Sequence, residues 1–222
     1  MAEQSQGARA LFFDESLVEE VAAVNGFAVE SVEPLCEIDG DAIVMRHGKS
    51  GARLLFLHNA DENKAFSISF KTPPVDDTGV FHILEHSVLC GSDKFPVKEP
   101  FVNLLKTSMQ TFLNALTFPD KTMYPVASTN DQDLENLADV YMDAVLHPAI
   151  YRKRAVFEQE GWHYELDDAN AEAGTSERLR YNGVVFNEMK GALSDPESVL
   201  YRGMNTELFP GTCYAFESGG HP

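Results

Sequence analysis

Residues 78–91, TGVFHILEHSVLCG, constrain this chain more than any other stretch. Val80, Phe81, Ile83, Leu84, Val88 and Leu89 give it the apolar density of a buried helix, yet His82, Glu85 and His86 stand among them. An amphipathic helix turns its polar residues to one solvated face. Here apolar residues flank all three, so partial burial is expected, and ionisable groups in such a place need partners. Positions i, i+3 and i+4 share a helix face, which makes two imidazoles and a carboxylate converge on one point. Any fold of this chain has to complete that cluster from somewhere else.

Imidazole nitrogen and carboxylate oxygen are zinc ligands, and a catalytic zinc site takes three protein ligands and leaves the fourth position for water. Two histidines one helical turn apart supply two of the three. A carboxylate between them can take a proton from the water that the metal acidifies and deliver it to a leaving amine, which is the chemistry of peptide hydrolysis. The order H-x-x-E-H is the signature of the inverted zincins. A third ligand must lie outside this short helix, and carboxylates and histidines are both open. His47, His58, His147, His163 and His221 each stand isolated, as surface or satisfied histidines do. Glu188 stands out in GVVFNEMKG, between preceding apolar residues and Met189, where a buried helical position competes with an ordinary solvated face.

Composition narrows the setting. A hydrophobic content of 44% with 23% charged residues describes a globular chain, and no apolar run is long enough to span a bilayer, so no membrane partner is expected. The formal charge of −18 opposes binding to phosphate backbones, which argues against nucleic acid and reads first as solubility. Cys36, Cys90 and Cys213 are odd in number, widely spaced and free of any C-x-x-C pair, so neither a disulfide framework nor a cysteine zinc site is expected, and a reducing compartment fits. MAEQSQGARALFFDESLVEEV has neither a signal-peptide nor a transit-peptide pattern, and a cytoplasmic location follows as the expectation.

The 222 residues are expected to form a single domain with residues 1–25 as a helical lead-in. FDESLVEEVAAV has helical spacing. AVESVEPLCEI, AIVMRH, ARLLFLHN and AFSISFK read as strands whose short turns imply antiparallel neighbours. Asp77 or Thr78 is expected to cap the histidine-bearing helix and Gly91 to end it. EPFVNLLKTS reads as a helix, QTFLNALTF and TMYPVAST as two strands, and NDQDLENLADVYMDAVLHP as the clearest amphipathic helix. RKRAVFEQEGWHYEL mixes helix and strand, DDANAEAGTSE is a polar loop, and residues 183–209 read as one or two helices. ESGGHP is turn-like and closes no element. The architecture expected is α+β, a largely antiparallel β-sheet with helices packed on one face.

FHILEHSVLCGSDKFPVKEPFVNLLKTSMQTFLNALTFPDKTMYPVAST and GVVFNEMKGALSDP resemble the pitrilysin or insulinase family of zinc peptidases, and within it the presequence-protease branch that includes falcilysin. The similarity runs from about residue 26 to the end. It implies Zn2+ as cofactor, His82, His86 and Glu188 as its ligands, and Glu85 as the general base. It further implies that Asn114, Ala115, Leu116 and Thr117 form a strand edge where an extended substrate adds a strand through its backbone, against the plainer alternative that Asn114 only bends or ends a strand. In the family the peptide is enclosed between two similar halves of a longer chain, so unstructured peptides are the expected substrates. The chain is then expected to be an N-terminal fragment. The missing C-terminal half, or an equivalent subunit, would be its partner and would carry the substrate-clamping arginine and tyrosine. Insulysin-like branches carry a glutamate seven residues before the third ligand; Tyr181 stands there, so no outer carboxylate is assigned. Two rival expectations are a non-catalytic member that binds zinc or peptide without turnover, and a structural zinc domain closed by Cys90. Four positions beyond His86, Cys90 lies further along the helix and reads better as a core cysteine.

Overall fold

The computed structural model describes residues 15–24, 26–97, 100–166 and 179–222, which fall into two compact units divided between Glu62 and Asn63. In the first unit, helix α1 (Glu15–Ala22) precedes a three-stranded antiparallel sheet of β1 (Phe27–Leu35), β2 (Gly40–His47) and β3 (Arg53–His58), with β2 central. Its register runs from Phe27↔His47 to Leu35↔Gly40, and from Asp41↔His58 to Arg46↔Arg53. The first strand stops three residues before the expected Ile38. Cys36–Ile38 form a 3-10 turn, and Asp39 takes a left-handed φ of 46° to bring Gly40 into pairing. A side chain at Gly40 would meet the His58 carbonyl at 2.4 Å, so only glycine lets the backbones come this close.

The second unit is built on β7 (Lys121–Ser128). β4 (Lys64–Lys71) pairs along one side of it, from Lys64↔Ser128 to Lys71↔Lys121. Along its other side lie β5 (Gln110–Leu113) and the two-residue β6 (Leu116–Thr117), all antiparallel. Period-two alternation puts Phe66 and Ile68 of β4 beside Tyr124 and Val126 of β7 on one face. Helix α4 (Asp131–Leu146) covers that face with Leu137 and Tyr141, both fully buried, and Val88 and Leu113 complete this core. The helix begins where Asn130 accepts a hydrogen bond from the Asp133 amide at 2.9 Å. Asn130→Ala is therefore expected to cost about 1 kcal/mol of stability, read as a lower urea midpoint; an unchanged midpoint would mean that the cap contributes nothing.

The remaining helices carry or frame the polar cluster. They are α2 (Val80–Val88), α3 (Pro100–Thr107), α5 (Arg154–Glu160), α6 (Val184–Ala192) and α7 (Pro196–Leu208), while β8 (His163–Leu166) and β9 (Leu179–Asn182) form a separate antiparallel pair. The expected α+β character and antiparallel pairing hold, with the strands divided among three sheets. Residues 183–209 resolve into two helices because Asp195 caps the second, accepting from the Ser198 amide, and Pro196 opens it. The expected cap of α2 is corrected: its N-cap is Gly79, in the left-handed region at φ 68°, with no side-chain cap. Thr78 is occupied with Asp76, and Asp77 bonds the distant Glu217 amide. The polar loop 167–177 lies outside the described residues. Among those described, no helix is long and apolar enough to cross a membrane.

Candidate metal centre

Helix α2 is gripped on both sides. Val88 enters the core under α4, while Ile83 packs with Val185 and Met189 of α6. This fixes the helix about its axis and leaves His82, Glu85 and His86 on the side facing a cleft of about 700 Å³. The two imidazoles lie one turn apart with ring centroids 5.0 Å apart. Glu188, the residue before the buried Met189 on α6, reaches them: its Oε2 stands 3.3 Å from His82 Nε2 and 3.4 Å from His86 Nε2. One donor atom from each of the three residues lies within 4.8 Å of the others.

The far side of each ring decides what the near side can do. His82 Nδ1 donates to the Gly219 carbonyl at 2.8 Å, and a carbonyl can only accept, so the lone pair belongs to Nε2. His86 Nδ1 is 3.3 Å from Oε2 of Glu160, a buried carboxylate at the end of α5, which sets the same tautomer. Burial pushes the His86 imidazole down, but the Glu160 hydrogen bond and the charges of Glu188, Glu85 and Glu160 outweigh it and raise its pKa above the usual value. Glu160 is held below the usual carboxylate range by the hydrogen bond from His86, against its burial, and by further bonds from Gln159 and Cys90. Two nitrogen lone pairs and a carboxylate thus point at one spot that calls for positive charge. A tetrahedral ion with bonds of about 2.0–2.1 Å requires donors roughly 3.3 Å apart, and the two imidazole–carboxylate spacings, 3.3 and 3.4 Å, fit it.

Glu85 is outside that donor set. It is buried to 7% exposure and accepts a 2.7 Å hydrogen bond from the Thr117 hydroxyl. Burial first, and then the Glu85 charge, push the Tyr124 and Tyr141 phenols up, so both stay neutral beside it. The stretch read as one strand over 110–118 breaks at Asn114–Ala115. The Asn114 amide donates to Pro125, its side-chain oxygen accepts from the Ala115 amide, and its carbonyl accepts from Tyr141. Asn114 therefore does bend the strand, and the bend puts Asn114, Ala115, Leu116 and Thr117 on the wall of the same cleft.

The residues assigned to the site by the resemblance all line this cleft: His82, Glu85, His86, Glu188 and Asn114–Thr117. Two expectations change in detail. Glu188 is half exposed, at 49% of its side chain, because it stands at the open side of the cleft while Val185 and Met189 anchor its helix. Cys90 also lines the cleft, but its thiol is directed at Glu160 and the His86 carbonyl. Two participants were missed. Glu160 lies 74 residues from His86 in an acidic helix end with nothing to distinguish it. The Gly219 carbonyl carries no side-chain signal at all.

A family model described as insulinase, peptidase family M16, matches residues 72–197. Protein HypA of Clostridium perfringens (strain 13 / Type A) is 55% identical over 198 residues, which are 89% of this chain and 20% of that protein. Presequence protease 1, chloroplastic/mitochondrial, of Arabidopsis thaliana is 53% identical over 197 residues, 89% of this chain and 18% of that protein. The mitochondrial presequence protease of Xenopus tropicalis is 44% identical over 200 residues, covering 90% and 19% respectively. This chain thus spans about a fifth of the length of these relatives. The crystal structure of pitrilysin superposes with a TM-score of 0.63 at 19% identity, over 88% of this chain and 19% of that one, a likeness of fold.

Proposed function

Because the chain belongs to the insulinase family, peptidase family M16, we propose that it is the metal-bearing part of a zinc-dependent endopeptidase that hydrolyses unstructured peptides. The observation that carries this reading is the convergence of His82 Nε2, His86 Nε2 and Glu188 Oε2, with Glu85 beside them but not among them. Those three residues would hold the ion. Zinc, when bound, supplies Lewis acidity that polarises a peptide carbonyl and lowers the pKa of water.

The chain's own groups account for the rest. Glu85, held by the Thr117 hydroxyl and shielded from bulk solvent, accepts the proton of the attacking water and returns it to the leaving amine. Its position next to the ligands without joining them is what a base needs. β5 and β6 are bonded to β7 on one side only among the described residues, so an extended peptide can add along their other side, through backbone groups and with little regard for side chains. The Ala115 amide is given to the Asn114 side chain, while the Asn114 carbonyl accepts from Tyr141 and keeps a second lone pair for a peptide amide. The remaining length found in the relatives, as a C-terminal part of the same chain or an equivalent subunit, would close the peptide in.

Cleavage of an unstructured basic peptide, with and without 1,10-phenanthroline and alongside zinc content, tests the reading. Chelator-sensitive cleavage with one zinc per chain is expected. Bound zinc without cleavage would favour a member that needs its C-terminal part, and absence of zinc would sink the metal site. Thr117→Val is expected to lower kcat about tenfold by freeing the Glu85 carboxylate, with Thr117→Ser restoring it; equal loss in both would point to a role for the methyl group.

A further inference from the structure

Residues 217–221 lie as a strap across the start of α2, and we propose that this strap is a positioning element that fixes the tautomer and direction of His82. The proposal rests on the zinc reading of the same site for its purpose, though not for its geometry.

The contact itself is short. The Gly219 carbonyl takes the His82 Nδ1 hydrogen at 2.8 Å, which turns the Nε2 lone pair toward Glu188 Oε2, 3.3 Å away. That carbonyl is in turn held from several directions. Asp77, two residues before the helix cap, bonds the strap at both ends: its carbonyl accepts from the His221 amide at 2.8 Å, and its Oδ1 accepts from the Glu217 amide at 2.7 Å. Arg202 of α7 steadies the same carboxylate through Oδ2 at 3.1 Å. Within the strap, the Gly220 amide donates to the Glu217 carbonyl at 3.0 Å and the Gly219 amide to Glu217 Oε1 at 3.1 Å, closing a tight turn.

Two glycines make the approach possible. A Cβ on Gly220, whose φ is 95°, would stand 2.8 Å from Gly79 Cα and 2.2 Å from Met189 Cε. One on Gly79, at φ 68°, would stand 2.7 Å from Gly220 Cα and 2.5 Å from Met189 Cε. Both positions also need a left-handed backbone that other residues adopt at a cost. Met189 follows Glu188 directly, so the strap, the helix of His82 and the helix of Glu188 meet at one point. The strap thereby references two of the three donors to each other. Histidines that bind metal commonly give their second ring hydrogen to such a partner, and losing it costs about 10- to 100-fold in metal affinity.

The test uses the full 222-residue chain, labelled with 15N. Long-range 1H–15N correlation on the metal-free chain above neutral pH reads the His82 tautomer, and competition with a chromogenic chelator reads zinc affinity. The unaltered chain is expected to show a single Nδ1–H tautomer at His82. Gly220→Ala and Asp77→Ala are expected to give mixed tautomers there and zinc binding weaker by about 10- to 100-fold. His86, tied to Glu160, should keep its tautomer in both variants, which separates a local effect from loss of fold. Asp77→Asn keeps an oxygen for the Glu217 amide and should recover most of the tautomer bias. Should Gly220→Ala fail to fold, Asp77→Ala decides. A folded Asp77→Ala chain that keeps a pure Nδ1–H tautomer, with zinc affinity within about twofold of the parent, overturns the proposal. A parent chain that binds no zinc removes the metal reading, while the metal-free tautomers still decide about the strap.

Discussion

Glu85→Gln is expected to bind zinc as the parent does and to lose peptide hydrolysis by about 10²- to 10⁴-fold, the range over which a positioned general base acts. The substitution suits the question because almost nothing else changes. Glutamine has the same shape in a site with 7% exposure, and its amide oxygen can still accept from the Thr117 hydroxyl, which now reaches Glu85 at 2.7 Å. His82, His86 and Glu188 are the residues that would hold the ion, so its affinity should not depend on the charge at position 85 beyond electrostatics. What disappears is an oxygen able to take a proton. Zinc stoichiometry and kcat measured on the same sample separate the two roles. Turnover near that of the parent would take the base role away from Glu85, and loss of zinc would show that the carboxylate helps to hold the ion.

Much of this site could be read along the chain because its chemistry is local. His82, Glu85 and His86 sit within one helical turn and a half, so their spacing alone predicts convergence. The apolar residues between them predict the gripping that the structure provides through Ile83 and Val88. α4 was legible for a related reason: Leu137 and Tyr141 are one turn apart, and Asn130 marks the start. Glu188 needed the resemblance to a family, since the sequence near it equally suits a solvated helix face, and its side chain is in fact half exposed.

What escaped the sequence is non-local or belongs to the backbone. Asp77 carries the composition of a helix cap, and capping was the natural expectation; instead, its carboxylate and carbonyl hold the Glu217 and His221 amides. No propensity rule distinguishes a carboxylate that caps the next helix from one that ties down a segment 140 residues later. ESGGHP read as a turn-like end that closes no element, and its two glycines, which lack side chains, signalled no contact. That lack is the reason it can lie against Gly79. The strand edge illustrates a third case. Asn114 was weighed as substrate contact or strand bender; its bonds to Ala115, Pro125 and Tyr141 accompany the break in the strand, and that bend shapes the cleft wall along which the proposed peptide would add.

The same non-local logic yields the second large effect. Glu160→Leu is expected to weaken zinc binding by about 10- to 100-fold while leaving the three donors in place. The absence of a glutamate at position 181 left the outer carboxylate unassigned, and the structure supplies one from α5 instead: Glu160, 6% exposed, faces His86 Nδ1 at 3.3 Å and takes further hydrogen bonds from Gln159 and Cys90. Leucine is an apolar side chain of comparable length, somewhat bulkier, that accepts nothing. The His86 Nδ1–H would lose its acceptor, the ring would gain freedom to flip, and the negative charge that steadies the imidazole would be gone. Glu160→Gln divides these contributions, because it keeps an acceptor and removes only the charge, so it should fall between the parent and the leucine variant. Zinc affinity by chelator competition, with folding followed by circular dichroism, checks both. Unchanged affinity in a folded Glu160→Leu chain would mean that the packing of α2 alone orients His86, and that the carboxylate beneath it is only a satisfied buried group.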